Sequence, residues 1–521
     1  LVNNQRFIQG DFDTSFLDEE YGARRKERSE SFQRVACIAT ALGLLALPKA
    51  QRISLPLPFF LVPAFLLALT FPMAFDHQRV VELVPLFPLA LAAWSWGASQ
   101  RFGEGFWRFV ATAGAAASLV ALAQALGGLQ AAGDAVALLP PALREVGAAR
   151  LATGRAFGTL PIPGHFAALQ ALLAPLLIAW LKQTQGWRRF LPVGLLVLSL
   201  AGCLASRSLL GTGLWVLAVV LTLYRSGPRP LRVLLPAAGL AALALVLFLR
   251  EDMARFEPLA LRAVNWRVAF WVFLQHPWVG VGLGGVGIAG LTSPWGEHNI
   301  TPFAHNTPLQ LLAEFGLLGL PFFLALFFLA FRLAFRLWLA DRPTAVALLV
   351  ALFHNFFDFS FYEPALLFPF CLLAGARSLQ PEATSRLFFP LLSLLLGGAA
   401  VVAALQARTQ GMADQARQQP PEQQLNVLLR AASLSPWRLA EPMEAAWLVV
   451  QTGDRQKVQL VEELLDRRAW VAPQSASWAQ AKATLLLLQG RKAEAWAWAR
   501  EALRRAPFRR DLAELEQQCR P

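Results

Sequence analysis

The sequence predicts an all-α protein: a polytopic membrane domain of about 11–12 transmembrane helices, followed by a smaller domain of helical repeats. Three observations carry this. Hydrophobic residues make up 56% of the 521 and charged residues only 16%, with a mean hydropathy of +0.46, which no soluble globular domain matches. Charge-free apolar runs recur along the first four hundred residues, each near the roughly 20 residues a helix needs to cross about 30 Å of hydrocarbon. Beyond about residue 410 the chain turns polar, with apolar residues at helical spacing.

Backbone groups in lipid must be satisfied within the segment, so the runs are helices. A transmembrane barrel would need alternating apolar and polar residues, and 322–330 is apolar on every side. Spans are expected at about 55–75, 79–98, 105–127, 165–182, 190–205, 208–224, 231–249, 317–338, 344–358, 361–376 and 387–405. The stretch 35–48 is short for a span and reads as interfacial or re-entrant, giving eleven spans, or twelve if it crosses.

The formal charge of +13 raises nucleic acid as a partner, but the 47 Lys and Arg sit between apolar segments and in the tail. That is the pattern of cytoplasmic loops and a solvated tail, and no nucleic-acid partner is expected. Lys182, Arg188 and Arg189 form one basic loop, Arg225, Arg229 and Arg232 a second, and Arg332, Arg336 and Arg342 a third. With these in the cytoplasm, the N-terminus is inside. Residues 128–164, the 206–208 turn, 250–305, 358–363 and the tail then lie on the outer side. Cys37, Cys203, Cys371 and Cys519 form neither a disulfide framework nor a metal-ligand spacing, and no cleavable signal peptide is expected.

The organisation that follows has three parts. Residues 1–34 are read as a cytoplasmic leader, foreign or disordered; GDFDTSFLDEEY within it resembles the tail of a biotin carboxylase domain and stays outside the fold argument. Residues 35–405 form the membrane domain, with a large outer loop at 250–305. Residues 410–521 form the tail, where Gly453 and Gly490 are 37 apart, Pro436 and Pro473 are 37 apart, and Pro473 and Pro507 are 34 apart. These intervals are close to the tetratricopeptide period. LLLLQGRKAEAWAWAREALRRAP reads as one such unit, with Gly490 between two helices, Ala495, Ala499 and Ala502 permitting close packing, and Pro507 ending the second. Such repeats stack into a concave surface that would take a protein partner; an ordinary helical bundle capping the membrane domain is the alternative.

Candidate chemistry gathers on the outer side. In FAHNTPLQLLAEFGLLG (303–319), Asn306 or Thr307 can cap a helix whose first position is Pro308, which sets His305 just before a helix N-terminus. The dipole there favours the neutral ring that a general base requires, and free amides attract phosphate. A purely structural cap is the bland alternative. Glu314 follows near the start of the span. Arg155, Arg207, Arg262 and Arg267 share the outer face. Arg207 lies between two spans on the side where basic residues are scarce, so a bound anion or snorkelling to headgroups accounts for it. Gly282-x-Gly284-x-x-Gly287 matches a dinucleotide fingerprint in letters only, since no βαβ pattern surrounds it, and Glu297-His298-Asn299 ranks below His305 because no helix start follows it.

Arg267 in RVAFWVFLQHPWVGVGLGGVG, joined to His305-Asn306, Glu314 and Gly316 in HNTPLQLLAEFGLLG, resembles the O-antigen ligase and polymerase superfamily. The resemblance covers about 35–405 and takes in Arg155, Phe157 and Gly158 of GRAFGTLP, Arg207 of the SRS turn, and HNFFDFSFYEPAL, where Asp358 stands at a span end. It implies an inverting glycosyltransferase of the bacterial inner membrane, needing neither metal nor other cofactor. The glycan passes from undecaprenyl diphosphate to an acceptor hydroxyl of lipid A core, a glycan or a protein. Carried over, His305 is the catalytic base, Arg207, Arg267 and Arg155 hold the diphosphate, and Asn306, Glu314 and Asp358 support. Departures are Gly164-His165, where many relatives have Asn, the repeat tail, and a count of eleven spans where relatives often have twelve. A multi-span glycan transporter or flippase is the competing class; its ionisable residues would line a midplane pathway, with repeats between its halves.

Overall fold

A computed structural model describes residues 58–99, 102–129, 151–160, 162–224, 229–250, 257–295, 302–377 and 388–520. The expectations for the leader, for 35–48 and for Glu297-His298-Asn299 lie outside these. The regular structure among the described residues is helical, without a strand. Six of the helical stretches are long and apolar enough to cross a membrane: His77–Ala98, Glu104–Gly128, Pro163–Gln183, Gly186–Ser206, Arg232–Leu249 and Thr307–Ala340.

In chain order the helices are α1 (Pro58–Thr70), α2 (His77–Leu83), α3 (Leu86–Ser99), α4 (Glu104–Ala123), α5 (Pro163–Gln183), α6 (Phe190–Ser206), α7 (Leu209–Leu223), α8 (Arg229–Leu249) and α9 (Glu257–Gln275). After a loop holding the short helix Val286–Gly290 come α10 (Thr307–Ala340), α11 (Arg342–Asn355), α12 (Pro364–Arg377) and α13 (Phe388–Ala416).

Helix α5 is the central one. It begins at Pro163, where a missing N–H costs nothing, and packs against α4, α6, α7, α11 and α12. Its buried residues run from Gly164 to Leu181 on all sides, as expected of a helix surrounded by others. Close approach elsewhere uses small residues: α3 and α12 cross with Gly97 against the backbone of Leu372 and Ala376, and Gly375 against that of Trp94.

The bundle has two chemically distinct ends. At one, Lys182 donates to the Thr222 carbonyl at 3.0 Å, Arg342 to the Tyr224 carbonyl, Arg108 to Gln183 at 3.1 Å, and Arg377 pairs with Asp341 at 2.7 Å. These belong to the basic loops and their neighbours. At the other end Phe75 N–H bonds the Val281 carbonyl at 3.0 Å, Ala156 N–H that of Ala205 at 3.0 Å, and Thr307 N–H that of Asp358 at 3.2 Å. Every segment assigned to the outer side and described here meets at this second end.

The long helix α10 starts where expected: Asn306 Oδ1 caps it by accepting from Leu309 N–H at 2.9 Å. It does not run straight. At Gly316 (φ 60°, ψ −160°) the helical path breaks, and Leu317 and Leu318 N–H groups bond the carbonyls of Pro277 and Trp278 at 2.8 and 3.1 Å.

Helix α13 carries the chain from apolar surroundings into the tail without a linker, since Ala413 and Ala416 are already in the tail core. The change of composition near 405–410 therefore falls inside one helix. The tail comprises α14 (Pro421–Leu434), α15 (Ala440–Thr452), α16 (Arg455–Asp466), α17 (Ala476–Leu488), α18 (Lys492–Arg505) and α19 (Arg510–Cys519). Gly453 and Gly490 adopt left-handed φ of 66° and 79° at helix ends. Ala495, Ala499 and Ala502 are buried, the first two packing with Ala483 and Leu486.

The tail docks on this second end of the bundle. One apolar core joins Val268, Val272, Val281, Val286 and Ala313 of the membrane domain to Leu428, Val449, Val461 and Trp478 of the tail. Backbone bonds reinforce it, with His77 N–H on the Val471 carbonyl at 2.8 Å and Leu439 N–H on Gln78 Oε1 at 3.0 Å.

Candidate functional site

The site forms around Asp358, in the loop between α11 and α12, whose side chain is 5% exposed. A carboxylate so buried needs donors. Its Oδ1 lies 3.2 Å from His305 Nδ1, 3.4 Å from His165 Nε2 and 2.9 Å from Phe359 N–H. Its Oδ2 lies 3.5 Å from Arg262 Nη2 and 4.0 Å from His354 Nε2. Burial by itself would raise its pKa; the imidazoles of His165 and His305 outweigh that and hold the carboxyl well below its usual range. Asp358 is therefore an anion at neutral pH.

Each partner arrives on a different element. His165 is in the first turn of α5, Arg262 on α9, His305 just before α10, and His354 in the last turn of α11. The two segments that begin His-Asn interlock: Asn306 Nδ2 donates to the Phe356 carbonyl at 2.8 Å, and Thr307 Oγ1 to Asn355 Oδ1 at 2.8 Å. His305 itself has φ 51°, a left-handed conformation unusual without glycine. Trp266 Nε1 holds its carbonyl at 3.2 Å, and Phe359 meets its ring edge-on at 4.9 Å. His165 and His354 are sealed in, whereas His305 and Arg262 are each 26% exposed. A reactant can reach only the latter two.

A second group of cations surrounds the turn between α6 and α7. Arg207 caps α6 with φ 47°, its Nη1 donates to the Thr153 carbonyl at 3.1 Å, and its own carbonyl accepts from Arg250 Nη1 at 3.1 Å. Arg155 Nε donates to the Ser206 carbonyl at 3.2 Å. Ser208 then caps α7. The two groups adjoin across Gly164: a Cβ there would stand 3.4 Å from Asp358 Oδ2 and 3.9 Å from Ser208 Oγ.

Glu314 does something else. Fully buried, it accepts from Gly284 N–H at 2.8 Å and Gln310 Nε2 at 2.7 Å through Oε1, and from the Tyr362 hydroxyl at 2.6 Å through Oε2. Its backbone pairs with Gly282. The HPWVGVGLGG segment is thereby laced to the AEFG turn of α10, so two motifs separated in sequence are one structural clamp. Gly282 and Gly284 take φ near 80° to pack against Ala74 and Arg79, and their loop is not a nucleotide cradle.

Of the residues read from sequence, His305 and Asp358 meet directly, Asn306 caps the helix beside them, and Arg207 and Arg155 share the adjoining turn. Arg267 is exposed on α9, and it is Arg262 that reaches Asp358. His165 and His354 carry no mark of a role in the sequence, because nothing local distinguishes a histidine on an apolar helix face until the fold brings it to a carboxylate. A scan against models of known protein families and a search of curated proteins both return no match.

Proposed function

We propose that the chain is a membrane glycosyltransferase of the O-antigen ligase and polymerase type, acting at the periplasmic face of a bacterial inner membrane. The observation that supports this best is the His305–Asp358 pair, open on the His305 side and adjoining an arginine-bearing turn at the same end of the bundle. With Nδ1 on Asp358, the ring keeps Nε2 for an acceptor hydroxyl. Nε2 takes the hydroxyl proton, the oxygen attacks C1 of the sugar, and the C1–O bond to the diphosphate breaks, releasing undecaprenyl diphosphate. Asp358 steadies the imidazolium that forms. Arg207, Arg155 and the exposed Arg267 hold the diphosphate as negative charge builds on the leaving oxygen.

In this reading eleven helical passages cross the bilayer, and the tail is a tetratricopeptide-like platform that presents an acceptor or a partner protein. Charge at the ends of the bundle, with the Asp358 cluster and the arginine-bearing turn together at one of them, rather than along a midplane path, favours transfer over transport. Purified protein in liposomes, given undecaprenyl-diphosphate glycan and candidate acceptors, tests the proposal. Wild type should transfer glycan and His305→Ala should not; equal transfer by both would defeat the mechanism.

A further inference from the structure

Transfer through His305 leaves idle a second histidine that approaches the same oxygen of Asp358 from the buried side. His165 is 1% exposed, its Nδ1 has no hydrogen-bond partner in the structure, and its Nε2 faces the Asp358 carboxylate. Isolated imidazoles are rarely buried in this way, because an unsatisfied polar group in the interior is costly. Its Nε2 stands 3.4 Å from Asp358 Oδ1, the oxygen that His305 also contacts. Phe359 packs edge-on against both rings, at 4.8 Å from His165 and 4.9 Å from His305. The two imidazoles thus flank one oxygen and share one aromatic wall.

From this geometry we infer that His165 is a positioning residue for the transfer reaction: its Nε2–H anchors Asp358 Oδ1 from the buried side, fixing the carboxylate that orients His305. The inference rests on the glycosyltransferase reading above. His354 cannot serve in its place, because its Nδ1 is on Ser360 Oγ at 3.0 Å and its Nε2 is 4.0 Å from the opposite carboxylate oxygen. Arg262 also approaches that opposite oxygen. Without His165, Oδ1 keeps only the Phe359 amide and His305 itself, and the carboxylate is free to turn about its Cβ–Cγ bond. His305 then loses its fixed orientation while substrate contacts remain.

His165 is at the start of the central helix, so packing must be separated from positioning. Three variants do so. His165→Leu fills similar volume with no donor; His165→Gln places an amide N–H near the position of Nε2; His165→Asn places it a bond short, nearer Nδ1. In full-length protein in liposomes, with undecaprenyl-diphosphate glycan as donor, kcat should fall about 10- to 100-fold in His165→Leu, as for outer partners of functional side chains. The donor KM should stay within about twofold. His165→Gln should recover most of kcat, and His165→Asn little. Wild-type kcat in His165→Leu, or a fall in which Leu, Gln and Asn are indistinguishable, would overturn the inference and leave the enzyme reading intact. Absence of transfer by wild type would remove both.

Discussion

Replacing Gly316 by alanine should unlatch the 276–285 loop from the helix that follows His305. Gly316 has φ 60° and ψ −160°, a region essentially reserved for glycine, where other residues incur about 1–3 kcal/mol. A Cβ there would also stand 2.5 Å from the carbonyl carbon of Trp278, so the two chains must separate. Separation removes the Leu317–Pro277 and Leu318–Trp278 backbone bonds, each worth about 1 kcal/mol. The sum is about 3–5 kcal/mol, which corresponds to a roughly 10²- to 10⁴-fold larger opening equilibrium of the clamp. Hydrogen exchange of the full chain in detergent would read this as lost protection across 276–285. Gly213→Ala is the control: its glycine is helical with no neighbour within 4 Å, so alanine should stabilise it by about 0.5–1 kcal/mol. Wild-type protection of 276–285 in Gly316→Ala would refute the clamp.

Asp358→Asn keeps the shape of the carboxylate and removes its charge; glycan transfer should fall by roughly 10²- to 10⁴-fold with donor affinity little altered, measured by turnover of labelled donor. Arg207→Gly should leave thermal stability within about 1 kcal/mol of wild type, because relief of the left-handed backbone (about 1–2 kcal/mol) offsets the lost bond to Thr153 (about 1 kcal/mol), while the donor KM rises. In the tail, Lys482 joins Glu462 and Asp466 at 2.7 Å each; Lys482→Ala strands a buried carboxylate and should destabilise the tail by about 3 kcal/mol, the low end for such pairs because Arg491 still reaches Glu462 at 3.1 Å. Acid should loosen the same domain: hydrogen bonds from Arg504, then Arg505, lower Glu501 to about 2. Its contribution is complete above the unfolded value near 4.3 and disappears as pH falls from there through about 2, which exchange protection of 492–505 would follow.

Much of this was legible because charge and apolar runs are one-dimensional signals. The Asn306 cap, the Pro308 first turn and the helix after them follow from local chemistry, and loop charge alone separates the ends of the bundle. What stayed hidden is contact at long range. His165 and Asp358 are 193 residues apart and meet only after α5 packs against α11 and α12. Nothing near Arg262 says that it, rather than Arg267, faces the carboxylate, since five residues of helix turn a side chain well away from its starting face. Glu314 looked like a companion of His305 because both lie in one segment, yet its lone pairs are spent on Gly284, Gln310 and Tyr362. The shift in composition near 405–410 marks where the tail begins but not that one helix runs through it, because a helix can change its surroundings without changing conformation.

His305 and Arg207 share a feature that sequence does not display. They are the non-glycine residues with positive φ among those described, and each conformation is disfavoured by roughly 1–2 kcal/mol relative to the right-handed one. Glycine or asparagine would fill either turn more easily if only the turn mattered. Both positions are over-determined instead. The carbonyl of His305 is held by Trp266 and its ring by Asp358 and Phe359, while Arg207 is fixed by Thr153 and Arg250. Strain retained under so many restraints is most simply explained by what the side chains do there. On the glycosyltransferase reading proposed above, an imidazole and a guanidinium held rigidly at adjoining turns of one bundle end would serve as proton acceptor and anion holder with no rearrangement before reaction.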